Sequence, residues 1–431
     1  MKNENKIEVF IYPPNEQEAV PAGQYRYEPK SGAGIFVYSR DYLKSKKPLA
    51  VDPLNLPLEV ENNPVIVTLG HEQKGRRRLY GVLRDSLPDS WGRILMTYLH
   101  GLPMDNPAPE SLLRFSNNQR VGNLDFRETT EDKEKTDVPL KAVDWENLIS
   151  TAFNIERGLI KPPERDGLLY LERTSLGGAR PKTLFFDGQF LWLAKLPSCT
   201  DIWNEARIEF AATLLGKRCG LNTSEMKIEA TDLGDVLLSK RFDRIYAQPG
   251  FSRIGYFSCQ TALESLGVLN LERSYINYVD VLRTRFPENW NRPMAEELFR
   301  RLCFNILVRN TDDHPLNHGV LYSHEGISPS PAFDLFPDYL RKEQVGAFDL
   351  SMACGPFGKK AEWRNVLAGA GHFGLSGEKA ASIIRSMAEQ VRDWRGIFAG
   401  AGVSEEDMTK IEGSLESPLH QEALELEPYN G

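Results

Sequence analysis

Midway along its second half the chain reads Asn310-Thr311-Asp312-Asp313-His314-Pro315-Leu316-Asn317-His318. A short apolar run, Val320-Leu321-Tyr322, and the turn Ser323-His324-Glu325-Gly326 follow, and then comes Ala332-Phe333-Asp334-Leu335. A carboxylate, a carboxamide five positions on and a later carboxylate are the groups that phosphoryl transfer demands. One group orients an attacking hydroxyl, and two oxygen donors hold Mg²⁺ on a triphosphate. Asp312 is the candidate general base, with Asp313 the weaker alternative, and Asn317 and Asp334 are the candidate metal ligands. The Asp312–Asn317 separation equals that of the D-x-x-x-x-N loop of protein kinases. Taken alone, these two residues fit equally well a polar interhelix loop with ordinary Asp and Asn caps.

Two upstream features favour the chemistry. Lys195 ends the apolar run Leu191-Trp192-Leu193-Ala194. A lysine entering an apolar strand end is costly unless it is paired or reaches water. A nucleotide phosphate would pair it, and Glu205 in the next helix could orient it. The second feature is Ser175-Leu176-Gly177-Gly178-Ala179-Arg180-Pro181-Lys182-Thr183. Paired glycines permit the positive φ that exposes backbone amides, so Gly178, Ala179 and Lys182 become candidate phosphate contacts. Pro181 stands where a Walker A loop needs glycine, and alone the stretch reads as a turn. His314 and His318 are four apart, but Pro315 lies between them and no HExxH is present, which argues against zinc.

These residues need elements to position them. Alternation over 6–12 and the runs 35–38 and 64–69 predict strands separated by Gly and Pro. Leu87-Pro88-Asp89-Ser90 predicts a turn and cap before a helix over 87–99. The charged stretch 127–137 is the linker candidate. Asp187-Gly188, between apolar runs, predicts a two-residue hairpin. A helix over 202–216 is expected to bury Ile202, Ala206, Phe210 and Leu214, and 235–239 reads as a strand. Buried helical stripes are expected at Leu298, Phe299, Leu302, Cys303, Ile306 and Leu307, and at Ile383, Ile384, Met387, Val391 and Trp394. Ser404 and Asp407 predict a capping box. The fold class is therefore α+β: a two-lobed kinase-like fold with a strand-rich N-terminal half and an all-helical C-terminal lobe. The expected regions are 1–125, 140–245 and 246–431.

Bulk properties exclude several classes. Of 431 residues, 41% are apolar and 26% charged, and no apolar run approaches a membrane span of ~20 residues. The polar start lacks an apolar signal core, so a cytoplasmic location with no membrane partner is expected. Five scattered cysteines form no CxxC pair, which argues against disulfides or structural zinc. A net charge of −8 argues against a whole-chain nucleic-acid binder, although Lys74-Gly75-Arg76-Arg77-Arg78 stands against that trend.

The strings SLGGARPK (175–182), LWLAKLPS (191–198), NEARIEF (204–210), SKRFDR (239–244), NTDDHPLNHGVL (310–321) and AFDLFPDY (332–339) together resemble the HipA family. These are the kinase toxins of bacterial type II toxin–antitoxin modules. LPDSWGR (87–93) extends the resemblance over most of the chain. The resemblance implies Asp312 as catalytic base, Asn317 and Asp334 on Mg²⁺, Lys195 on ATP phosphates and His314 close to the nucleotide. It implies backbone contacts from Lys240 and Phe242 to adenine, with Asp243 nearby, and Ser175 as the autophosphorylation site. A phosphate on Ser175 would add nearly two negative charges and stop the loop from folding around ATP. The implied partners are a small helix-turn-helix antitoxin, operator DNA mainly through that antitoxin, and a protein substrate, an aminoacyl-tRNA synthetase in members of the family. The chain departs from the family at Arg180-Pro181, where Gln-Glu is frequent, and at Phe333, where some members have tyrosine.

Two other classes fit part of the pattern. One is a DNA-bound corepressor with vestigial kinase activity. The other is a small-molecule kinase, which shares the Asp/Asn/Asp logic.

Overall fold

The computed structural model describes residues 6–28, 30, 33–58, 66–71, 79, 81–103, 107–131, 143–160, 171, 178, 180–248, 250–267 and 272–427. The chain forms two compact units. The first comprises 1–200, 230–257 and 321–325, and the second 201–229, 258–320 and 326–431. No helix among the described residues is long and apolar enough to cross a membrane. All five cysteines are free thiols.

In the first unit, the alternating N-terminal runs become an antiparallel sheet. Its strand order is Ile66–His71, Ala33–Tyr38, Val20–Glu28, Lys6–Ile11 and Leu124–Arg127. Gly23 is required there, since a Cβ would strike the Val37 carbonyl across the ladder. The helix Ser90–His100 starts on the Asp89 carboxylate and stops at Gly101, whose φ of 67° is left-handed. Its Trp91 and Leu95 enter one apolar core with Leu148, Ile149 and Ala152 of the helix Trp145–Glu156. Trp192 and Ala194 of the strand Leu191–Lys195, with Val236 and Leu238 of Val236–Lys240, complete that core. Each such large buried side chain contributes about 1.5–3 kcal/mol.

This shared core alters the domain division expected from sequence. Regions 1–125 and 140–200 belong to one unit, and the charged stretch after Arg127 does not separate two cores. A buried ion network reinforces the join. Asp243 accepts from Arg241 Nη2 at 2.7 Å, Arg244 Nη1 at 2.8 Å and the Gly122 amide at 2.8 Å. Arg241 and Arg244 donate onward to the Arg120 carbonyl at 2.7 and 2.6 Å, and Arg253 donates to the Asn118 carbonyl at 2.6 Å.

The hairpin turns one residue later than the dipeptide rule suggested. Lys182–Phe186 pairs with Leu191–Lys195, the Asp187 amide donates to the Phe190 carbonyl, and Gly188-Gln189 make the bend. Gly188 takes φ 98°, while the Asp187 carboxylate accepts from the amides of Gln189 and Phe190.

The second unit is mainly helical. Leu298, Phe299, Leu302, Cys303, Ile306 and Leu307 are all fully buried in the helix Arg292–Leu307. The helix at 205 corrects the expected face. It spans Glu205–Arg218 and buries Ile208, Ala211, Ala212 and Leu215, whereas Ile202 and Leu214 are 64% and 37% exposed. It packs against the helix Trp394–Gly400, and Arg207 Nη1 donates to the Ala401 carbonyl at 3.1 Å. That packing places 201–229 in the second unit. Ile383, Ile384, Met387 and Val391 line the buried face of Gly377–Val391, but Trp394 opens the next helix. Ser404 caps Glu405–Leu415 by accepting from the Asp407 amide. The span 246–431 is not wholly helical, since it contains the strands Gly250–Arg253, Gly255–Ser258, Gly319–Ser323 and Gly326–Pro329.

The Asp243 network gives a pH prediction. Burial opposes the Asp243 charge, yet Arg241 and Arg244 outweigh it and hold the carboxyl at about 2. Its folded value is depressed, so its stabilisation is full above the unfolded value of about 4 and is lost as pH falls through about 2. Asp243→Asn should cost about 3–5 kcal/mol at neutral pH. Urea unfolding should show that deficit, and the gap from the wild type should narrow between about pH 4 and about pH 2. A gap unchanged across that window would contradict it.

Candidate active site

The loop after Arg292–Leu307 belongs to the second unit. The helix ends at Val308, and Arg309 swings the chain away with φ 52°. Asn310 returns its amide to the Asn305 carbonyl at 2.8 Å, which fastens the loop to the helix end. Two adjacent aspartates then face different ways. Asp312 is exposed. Asp313 is buried, accepting from His318 Nε2 at 2.7 Å and from the Tyr275 hydroxyl. The structure thus presents Asp312 to solvent and commits Asp313 inward.

Asn317 ends the turn Pro315–Asn317, and its Nδ2 donates to the Asp312 carbonyl at 3.2 Å. The His314 amide donates to the Asp312 carbonyl at 2.7 Å, and the Asn317 amide to the His314 carbonyl at 2.9 Å. Asp312 and Asn317 are therefore tied together by main-chain bonds. The two histidines do not share a helical face, and His318 Nε2 is taken by Asp313. His314 Nδ1 is buried without a hydrogen-bond partner among the described residues.

Asp334 lies in the same unit with φ 53°, a left-handed conformation that is uncommon for a residue bearing a side chain. Its carbonyl accepts from Asn310 Nδ2 at 3.4 Å. Further along, Asp338 accepts from the Thr311 amide at 3.2 Å and the Thr311 hydroxyl at 2.7 Å, and its own amide donates to the Arg309 carbonyl. Burial lifts the Asp338 carboxyl above the ordinary range, although the Thr311 donors pull it down. The segments 309–318 and 332–338 are thereby stitched together, so Asp312, Asn317 and Asp334 come into one neighbourhood. Their side chains offer only oxygen and amide donors, a set suited to a hard cation such as Mg²⁺.

The first unit holds the second group. Lys182 and Lys195 stand directly opposite in the hairpin ladder. Like charges so placed repel, and a nearby anion relieves them. Lys182 is buried, and its Nζ occupies the space that a Cβ on Gly178 would need. Gly178 has φ 108°. Its amide donates to Asp89 Oδ2 at 2.6 Å, while Asp89 Oδ1 accepts from the Ser90 amide at 2.8 Å. Burial acts against the Asp89 charge, but these amides together with Lys182 and Arg93 hold its carboxyl below the ordinary range. One carboxylate thus caps a helix and grips the glycine of the candidate phosphate loop.

Lys240 Nζ lies 3.4 Å from the Phe190 ring centroid, and Phe242 stacks with Tyr256 at 6.3 Å. Asp243 requires a correction, because its carboxylate is spent on two arginines and the Gly122 amide rather than on a ligand. Ser175, Ala179 and the basic run 74–78 lie outside the described residues. Lys195 belongs to the first unit and Glu205 to the second.

Sequence reading missed Asp89 as a loop contact, along with Tyr275, Asn305 and Asn310. Asp89 was visible only as a helix cap within LPDSWGR, and the others carry no local signature. Replacing Asp89 by Ala should speed amide hydrogen exchange at Gly178 by about tenfold or more while costing about 1 kcal/mol of cap stability. Hydrogen-exchange mass spectrometry measures this, and unchanged protection at Gly178 would contradict the assigned grip.

The profile of the HipA-like C-terminal domain family matches residues 174–395. The solved Shewanella oneidensis MR-1 HipA, in complex with HipB and its operator DNA, is 18% identical. The match covers 98% of this chain and 100% of that one at a TM-score of 0.63. The Helicobacter pylori proinflammatory kinase CtkA is 15% identical over 62% of this chain and 96% of that one, at a TM-score of 0.37. No curated protein sequence matches the chain.

Proposed function

Since the chain belongs to the HipA family, we propose that it is an ATP- and Mg²⁺-dependent serine/threonine protein kinase acting as the toxin of a toxin–antitoxin pair. The observation that carries this reading is the split of Asp312 from Asp313. One carboxylate is exposed beside Asn317 and the Asp334 segment, and the other is buried as an anchor. An exposed carboxylate can orient a substrate hydroxyl and take its proton as the bond to phosphorus forms. Asn317 and Asp334 would hold Mg²⁺, which when bound neutralises charge on the phosphates. Lys195 and Lys182 would meet phosphate oxygens, with the Gly178 segment held in place by Asp89. Lys240 and Phe242 would border the base, and His314 would lie close to the nucleotide.

The protein substrate belongs to the translation machinery in this reading, an aminoacyl-tRNA synthetase by the family resemblance. Ser175 is the residue the chain phosphorylates on itself. The expected partner is a small helix-turn-helix antitoxin through which operator DNA is engaged, consistent with the HipA–HipB–operator complex of the Shewanella relative. The expected location is the cytoplasm.

The test is mass spectrometry of the purified full chain incubated with ATP and Mg²⁺. Wild type should acquire phosphate on Ser175, and Asp312→Gln should lower the rate by about 10²–10⁴-fold. Equal labelling of both would contradict the role of Asp312. Nucleotide binding without transfer to itself or to any protein would favour the corepressor reading, and transfer to small molecules alone would favour a small-molecule kinase.

A further inference from the structure

Behind the exposed Asp312 runs a line of buried polar side chains that the chemistry above does not use. Asp313 Oδ1 accepts from His318 Nε2 at 2.7 Å, and Asp313 Oδ2 accepts from the Tyr275 hydroxyl. The Tyr275 oxygen accepts in turn from Asn305 Nδ2 at 3.2 Å. Asn305 Oδ1 accepts from Asn310 Nδ2 at 3.1 Å, and the second hydrogen of that Nδ2 reaches the Asp334 carbonyl at 3.4 Å. None of the five residues is more than 3% exposed. His318 Nδ1 is buried with no partner among the described residues.

We propose that Tyr275, Asn305 and Asn310 are positioning residues that fix the peptide of Asp334 to the loop bearing Asp312 and Asn317. The proposal rests on the reading of Asn317 and Asp334 as metal ligands. Both ends of the line fall beside those groups. Asp313 follows Asp312, His318 follows Asn317, and the last acceptor is Asp334 itself. Apolar side chains could fill the same space, but they would set no direction. Hydrogen bonds in a buried line hold donor and acceptor in a single arrangement, because an unmet polar group there is costly. Asp334 is where direction matters most. At φ 53° its backbone has few neighbouring conformations to relax into, and the Asn310 amide holds its carbonyl. Asn310 is in turn fixed at its own amide by the Asn305 carbonyl at 2.8 Å. The bland alternative is that the line only joins the helices Tyr275–Arg285 and Arg292–Leu307, in which case stability would change and metal affinity would not.

The test titrates Mn²⁺ into the full chain with the non-hydrolysable ATP analogue AMP-PNP and reads free Mn²⁺ by electron paramagnetic resonance. Thermal unfolding confirms that each variant is folded at the assay temperature. Tyr275→Phe and Asn310→Ala should each weaken Mn²⁺ binding by about tenfold or more, as loss of groups orienting metal ligands does. The double variant should lie within about twofold of the weaker single one, since both cut the same line. Singles that bind within about twofold of wild type, or effects that multiply in the double variant, would overturn the proposal. A wild type that binds Mn²⁺ with the analogue yet transfers no phosphate from ATP would overturn the kinase reading and leave the positioning role standing. A wild type that binds no Mn²⁺ would overturn both.

Discussion

The Asp313 carboxylate lies out of water, and the arrangement of the reacting groups follows from how it is met. A buried charge must find donors or it will not stay charged. Tyr275 and His318 supply them from a helix and from the residue after the Pro315–Asn317 turn. Meeting the charge therefore fixes where the loop closes. With Asp313 anchored inward, Asp312 lies exposed beside it. The same closure brings Asn317 Nδ2 onto the Asp312 carbonyl. Two identical residue types thus take different surroundings, one exposed and one buried.

A parallel requirement shapes the first unit. Residues 117–120 are irregular yet buried, so their carbonyls have neither strand nor water to bond. Arginine offers five donors in a planar fork, and Arg241, Arg244 and Arg253 direct theirs at the carbonyls of residues 118–122. Asp243 offsets the charge this concentrates. The mixed signs of SKRFDR, open to a nucleotide-binding reading in sequence, are thereby explained in large part by packing. Lys240 lies over the Phe190 ring, and Phe242 stacks with Tyr256.

What was legible in the sequence followed from local chemistry. Asp89 as a cap, the hairpin pairing and the stripe of Arg292–Leu307 all depend on residues within a few positions of one another. The helix at 205 was misread because periodicity weighs large apolar residues, while its buried face includes the small Ala211 and Ala212. The expected break after residue 125 was misread because a polar run shows where the chain is solvated, not where a core ends. Trp91 and Trp192 share one core across a separation that no local pattern encodes. The contacts of Tyr275 with Asn305 and Asp313 also join residues far apart in the chain, at separations of 30 and 38 positions. Sequence therefore named candidate residues but not the buried side chains behind them.

The paired lysines carry the argument one step beyond motif matching. A ladder that sets Lys182 directly opposite Lys195 accepts a repulsion on the order of 1 kcal/mol. Asp89 offsets part of the charge, but the same carboxylate is also occupied by the amides of Gly178 and Ser90, which already draw on its electrons. Asp89 thereby joins this end of the hairpin to the helix Ser90–His100 through Gly178, whose positive φ turns its amide onto the carboxylate. In the proposed kinase, the phosphates of a nucleotide would bring further negative charge to this lysine pair.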